Sequence, residues 1–180
     1  MPFADFKYTP RYCEENIWQL AQEDCFHGQE TTVVIISGHG PYRKLWFQSS
    51  AEYPGAPVLW DYHVILLCRQ DDWQVWDLDT TLGLPVPASS YFPETFLQAN
   101  TDPERSDVIF RLIPATDYVE HFSSDRSHMK LTSGRWAAPP PQWPMIIRDG
   151  QSNLFDWLDV NHKAPGQLLT LDELMHDFLR

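Results

Sequence analysis

The chain has 180 residues, enough for one hydrophobic core and short for two. Hydrophobic residues make up 43% of it, including 8 Trp, 7 Tyr and 10 Phe, which excludes disorder over most of the length. A formal charge of −12, with no Lys/Arg cluster, excludes a nucleic-acid backbone as ligand. The acidity suits a site that receives a positively charged group, although an ordinary acidic surface accounts for it equally well. No stretch approaches the roughly 20 apolar residues of a membrane span. The start, Met1 to Lys7, lacks the apolar run of a signal peptide. Cysteines at 13, 25 and 68, with no Cys-x-x-Cys pair, make a poor disulfide framework. A reducing compartment is therefore expected, the cytoplasm and also the nucleus, where a thiol stays free for chemistry.

In chain order, residues 1–12 read as an extended arm containing Pro10. A helix is predicted from Cys13, with Glu14 and Glu15 in the first turn, where acidic groups suit the unpaired N–H groups. Ile17, Leu20 and Ala21 form its buried stripe with Trp18 at the flank, and it is expected to end between Cys25 and Gly28. Thr31 to Ser37 is β-branched and reads as a strand buried on both faces. Gly38 to Pro57 is a long connection with a short apolar island at Leu45 to Phe47, and loops of that length commonly line a site.

Val58 to Cys68 is predicted as a second strand and Trp73 to Asp79 as a third, joined by a turn at 69–72 into an antiparallel hairpin. Pro85, Pro87 and Ser89-Ser90 mark a loop, Tyr91 to Gln98 a helix, and Val108 to Ile113 a strand ended by Pro114. A short helix near Asp117 leads into the polar block Ser123 to Lys130. Gly134 to Pro144, with three prolines at 139–141, must be irregular. Leu154 to Leu158 reads as a helix capped by Asn153, and Thr170 to Phe178 as another, with Thr170 and Glu173 as reciprocal caps. With no internal repeat and no clear linker, residues 1–180 are expected to form a single α+β domain.

The hairpin carries the sharpest chemical clue. With a turn centred on Gln70, His63 lies opposite Asp77 on one face of adjacent strands. A carboxylate beside an imidazole fixes its tautomer and stabilises the charged ring, the orienting role in a nucleophile–base–orienter triad. An ionisable pair inside such apolar strands costs desolvation and needs a reason, although two half-buried polar residues satisfied by their neighbours would fit the spacing as well. Cys13 is the natural third member, since a helix N-terminus and a neighbouring imidazolium favour a thiolate. Glu14 and Glu15 oppose that effect, and burial as an inert packing residue is the alternative. Cys25 and Cys68 read as packing residues.

The order of nucleophile on an early helix, then His and Asp on adjacent strands, resembles papain and the transglutaminases. Four blocks make the resemblance specific: Tyr12-Cys-Glu-Glu-Asn-Ile-Trp18, Val58-Leu-Trp-Asp-Tyr-His-Val64, Val75-Trp-Asp-Leu-Asp-Thr80 and Ser124-Asp-Arg-Ser-His-Met-Lys130. With Pro139 to Pro141 and Leu171 to Phe178, they resemble the protein N-terminal glutamine amidohydrolase family over nearly the whole chain. The resemblance implies a papain/transglutaminase-like α+β fold with a central antiparallel sheet, a monomer, and a triad on Cys13, His63 and Asp77. It also implies conversion of an N-terminal glutamine of a protein or peptide to glutamate and ammonia through a thioester on Cys13. Another cysteine hydrolase of this type, peptidase or acyl transferase, and a non-catalytic peptide-binding module are the alternatives.

Selecting a terminal glutamine requires a reader for its α-ammonium. Glu14, Asp61, Asp79 and Asp125 lie within the blocks as candidates. Alternation places Asp61 beside His63 and Asp79 beside Asp77, and a structural loop role fits Asp61 equally well. No cofactor and no metal are expected. His121, Asp125 and His128 have no recognised zinc spacing, and there is no phosphate-cradling glycine loop.

Overall fold

A computed structural model describes residues 6–96 and 108–178. Eight strands are present among them: β1 (Glu30–Gly38), β2 (Arg43–Leu45), β3 (Val58–Trp60), β4 (His63–Arg69), β5 (Trp73–Trp76), β6 (Val86–Pro87), β7 (Val108–Pro114) and β8 (Gln167–Thr170). Six of them form one antiparallel sheet in the order β6-β5-β4-β1-β7-β8, while β2 and β3 pair separately. The helices are α1 (Cys13–Leu20), α2 (Ala88–Thr95), α3 (Ala115–His121), α4 (Leu154–Leu158) and α5 (Leu171–Glu173).

Strand β1 is central, and its run Val33 to Ile36 is fully buried, as a strand covered on both faces must be. Val33 and Ile35 point with Val64 and Leu66 into a core shared with Ile17 and Leu20 of α1, Tyr118 of α3 and Trp157 of α4. Val34 and Ile36 point the other way, with Ile65 and Leu67, against Tyr91 and Phe92 of α2. The α+β arrangement with a central antiparallel sheet and Cys13 opening a packed helix is therefore the one expected of a papain/transglutaminase-like protein.

Several local expectations are corrected. Helix α1 stops at Leu20, and the segment to Gly28 is finished by a turn and a short 3-10 helix, Asp24–Phe26. There Cys25 is exposed rather than packed, while Cys68 is buried as expected. The run 58–68 is two strands in two sheets, because the chain breaks at Asp61-Tyr62 and β3 leaves to pair with β2. Strand β5 ends at Trp76, so Asp77 to Asp79 lie in the turn that follows. Helix α2 starts at Ala88, taking in the two serines assigned to a loop; residues 97 and 98 of that predicted helix lie outside the described residues. Asn153 does not cap α4. Its side chain accepts from the Ser123 N–H at 2.9 Å and donates to the His121 carbonyl at 2.7 Å, tying the helix to the polar block. Thr170 and Glu173 do form a capping box, but it opens one turn of α-helix followed by a π turn, Leu174–Phe178.

Two buried arginines hold the loops of the second half. Arg126, in a left-handed conformation (φ 59°), grips both oxygens of Glu15 at 2.6 Å, and Trp143 Nε1 donates to the same carboxylate at 2.7 Å. Its guanidinium also donates to the carbonyls of Pro141, Trp143 and Pro144, which seats the proline-rich loop against α1. Arg111 of β7 has no carboxylate in its grip and donates instead to five carbonyls between Trp157 and Pro165. The next residue, Gly166, lies at φ +98°, and a Cβ there would sit 2.5 Å from the Leu112 carbonyl oxygen. Only glycine lets the loop close this tightly.

Candidate active site

The β4–β5 register is Leu66↔Trp76 through Arg69↔Trp73, a turn centred on Asp71 and not on Gln70. His63 and Asp77 are therefore not ladder partners. They still meet, because a shift of two residues preserves the face, where a shift of one would have reversed it. His63 Nε2 and Asp77 Oδ1 are 2.8 Å apart, with the two residues at 1% exposure each.

Asp77 is heavily satisfied. Its Oδ2 accepts from Tyr91 Oη–H at 2.8 Å and from Gln48 Nε2 at 3.1 Å, and its Oδ1 from the Asp79 N–H at 3.0 Å. Burial alone would raise this carboxyl, but the His63 charge and these donors win and hold it below the ordinary carboxylate range. Burial likewise disfavours a charged His63, and the carboxylates of Asp77, Asp79 and Glu14 outweigh it, so the ring titrates above its usual value. The Trp60 ring lies over it, centroids 4.7 Å apart. With Nε2 committed to Asp77, Nδ1 is buried without a hydrogen bond.

Cys13 comes to the same end of the sheet, packed with Val64, the residue after His63. Because β5 stops at Trp76, residues 63–65 of β4 have a strand neighbour on one side only. There the Val64 backbone N–H bonds to the Cys13 sulfur. The thiol also donates to Glu14 Oε2 at 3.7 Å. Burial, then Glu14, Asp79 and Asp61, push the thiol well above its ordinary pKa, against the pull of the Val64 N–H.

A pocket of about 850 Å³ opens on the sulfur, with Cys13, Asp61, Asp79, Tyr62 and His128 in its wall. The N-terminal arm forms another part of the wall through Tyr8, Pro10 and Arg11. The arm is fixed to α1 by two bonds between Thr9 and Asn16, and Tyr8 Oη–H donates to Asp79 Oδ1 at 2.5 Å. Of the four acidic candidates, Asp61 and Asp79 line the pocket. Asp61 is exposed, with its carboxylate accepting from the Tyr62 N–H, whereas Asp79 is 4% exposed. Glu14 lies fully buried behind the wall, 3.4 Å from His128 Nε2, which is itself 3.2 Å from Tyr62 Oη. Asp125 stands apart, half-buried and bonded to the Ser127 N–H at 2.9 Å.

His63, Asp77 and Asp79 bring donor atoms within 4.8 Å of one another, a spacing a cation could bridge. Within the group His63 Nε2 is bonded to Asp77, Asp77 also accepts from Tyr91 and Gln48, and one oxygen of Asp79 accepts from Tyr8. The arrangement brings an oriented imidazole and a buried thiol to the same strand end.

The model of the N-terminal glutamine amidase family matches residues 8–178. The chain belongs to this family. It is 37% identical over 179 residues to the protein N-terminal glutamine amidohydrolase of Bos taurus, covering 95% of this chain and 86% of that one. The Homo sapiens protein of the same name gives 37% over 179 residues, with 95% and 87% covered. The Arabidopsis thaliana protein of that name gives 38% over 161 residues, with 83% and 73% covered. For this amidase-family chain, sequence reasoning missed Tyr8, Gln48, Tyr91 and Trp60 as parts of the site. The only signal for them was position: Gln48 lies in the long loop expected to line a site, and Trp60 within the block around His63.

Proposed function

We propose that this chain hydrolyses the side-chain amide of glutamine at the first position of a protein or peptide, giving glutamate and ammonia. The 2.8 Å contact of His63 with Asp77, which leaves Nδ1 unpaired on the same strand end as Cys13, is the observation that carries this reading. Nδ1 takes the thiol proton as Cys13 attacks the amide carbon, forming the C–S bond. The same proton passes to the departing nitrogen as the C–N bond breaks and ammonia leaves. Water then attacks the thioester, gives its proton to His63, and releases glutamate with the thiol restored. Asp77 stays ionised throughout and holds the ring. The Cys13 N–H, free at the start of α1, is a donor for the oxyanion. An acidic pocket reads the α-ammonium, and a free nucleophilic thiol suits a reducing compartment, the cytoplasm or nucleus.

Matched peptides beginning Gln-Gly and Gly-Gln provide the test, with ammonia and mass as readouts. Only the first is expected to change. Reaction of both, or cleavage of either backbone, would reject the terminal-specific deamidase in favour of another cysteine hydrolase. Cys13→Ala must be inactive, and full turnover by that variant would end the mechanism. An Asn-leading peptide, one methylene shorter, is expected to react roughly 10–200-fold more slowly.

A further inference from the structure

The charges around Cys13 oppose the state that attack requires. The titratable groups around the sulfur are Glu14 on its own helix, Asp61 and Tyr62 from the turn before β4, and Asp79 after β5, with His63 at the same strand end and His128 beyond Glu14. Tyr8 of the arm completes the set through Asp79. The thiol and the imidazole are both driven toward their protonated forms, the first by burial and by Glu14, Asp79 and Asp61, the second by Asp77, Asp79 and Glu14. In the free site both groups lean toward their protonated forms, His63 against the opposing effect of its burial, and together they would hold two protons where the reaction needs one. His63 Nδ1 is buried with no hydrogen bond, and Glu14 Oε1 has only His128 Nε2, 3.4 Å away, beside it.

Asp79 is the group through which a ligand can change this balance. It acts on the sulfur and on the imidazole, lines the pocket with Cys13, and accepts from Tyr8, which lines the same pocket. In an extended glutamine the α-nitrogen lies about 5 Å from the side-chain amide carbon. Asp79 and Cys13 line one pocket, and the Asp79 charge acts on the sulfur, so a single glutamine can address both.

We infer that Asp79 receives the substrate's α-ammonium and that this contact arms Cys13, one proton leaving the thiol–imidazole pair for solvent as the substrate seats. The inference rests on the glutamine-deamidase reading above and adds to it that selectivity is expressed in reactivity as well as in binding. A glutamine whose nitrogen is acylated brings no cation, so Asp79 stays uncompensated and the pair keeps both protons. Tyr8 is a positioning residue that fixes the carboxylate in place.

The pH dependence of turnover of a Gln-Gly peptide tests this, because kcat/KM reports the free enzyme and kcat the complex. The acid limb of kcat is expected to lie about one pH unit or more below that of kcat/KM, the shift an opposite charge produces at contact. In Asp79→Asn the two limbs merge at the lower position, and KM rises about tenfold or more, as loss of one charged contact requires. Asp61→Asn keeps the gap. Coincident limbs in the unsubstituted enzyme, or a gap unchanged in Asp79→Asn, would overturn the inference; the first of these needs no variant to fold. No ammonia from the Gln-Gly peptide would defeat the deamidase reading and this inference together. Ammonia release with coincident limbs would defeat the arming alone.

Discussion

Asp77 and Asp79 are two residues apart in one turn, both almost completely buried, and the protein treats them in opposite ways. Around Asp77 the chain gathers an imidazole, a phenol, an amide and a backbone N–H, and the carboxyl is held below its ordinary range. Around Asp79 burial dominates, with the Asp77 charge beside it, and its pKa rises despite His63 and the Tyr8 hydroxyl. Asp77 is finished by the protein itself. Asp79 is left for something else to finish, which is how a recognition group differs from a supporting one.

Four measurements break or sharpen that contrast. The largest effect is expected from Asp77→Asn: a fall in kcat of about 10³–10⁴-fold, because an amide no longer holds the imidazole tautomer. Retention of most activity would mean that packing under Trp60 alone orients the ring. Tyr91→Phe removes one hydrogen bond to that charged carboxylate and is expected to cost about 10–100-fold in kcat, with KM little changed.

Stability separates the two aspartates by sign. Asp77→Asn lowers the melting temperature, whereas Asp79→Asn at neutral pH raises it by about 2–4 °C, the response of a chain this size to roughly 1 kcal/mol. The pH dependence follows from linkage. Asp77, depressed in the folded state, contributes stability fully present above the ordinary carboxylate pKa and lost as pH falls through its folded value. Asp79, raised, costs stability above its folded pKa, and that cost disappears as pH falls below the ordinary value. The advantage of Asp79→Asn should therefore vanish in acid, as denaturant midpoints across pH will show. The smallest effect belongs to Tyr8→Phe, a two- to fivefold rise in KM at about 0.5–1 kcal/mol for one half-exposed hydrogen bond.

Much of this arrangement is legible along the chain, for identifiable reasons. The His63–Asp77 meeting survives a misplaced turn because the error is an even number of residues. The largely apolar run 58–68 hides its own break at Asp61-Tyr62, since Trp60 and Tyr62 on either side of Asp61 are strand-like residues. Strand β8 escapes notice because only Leu169 of its four residues is buried, so no alternation is expressed. Glu14 and Glu15 look like ordinary first-turn acids until their partners are seen. His128, Trp143 and Arg126 are more than a hundred residues away, and nothing local announces them.

That last distance has a consequence for how the protein is made. Cys13 is synthesised more than a hundred residues before Arg126 and Trp143, which seat its helix through Glu15. Until those residues leave the ribosome, a buried carboxylate next to Cys13 has no cation to meet it. A nascent chain released before residue 126 would carry Cys13, His63 and Asp77 and still be unable to close the floor beneath them. Competence at position 13 is decided by residues synthesised more than a hundred positions later.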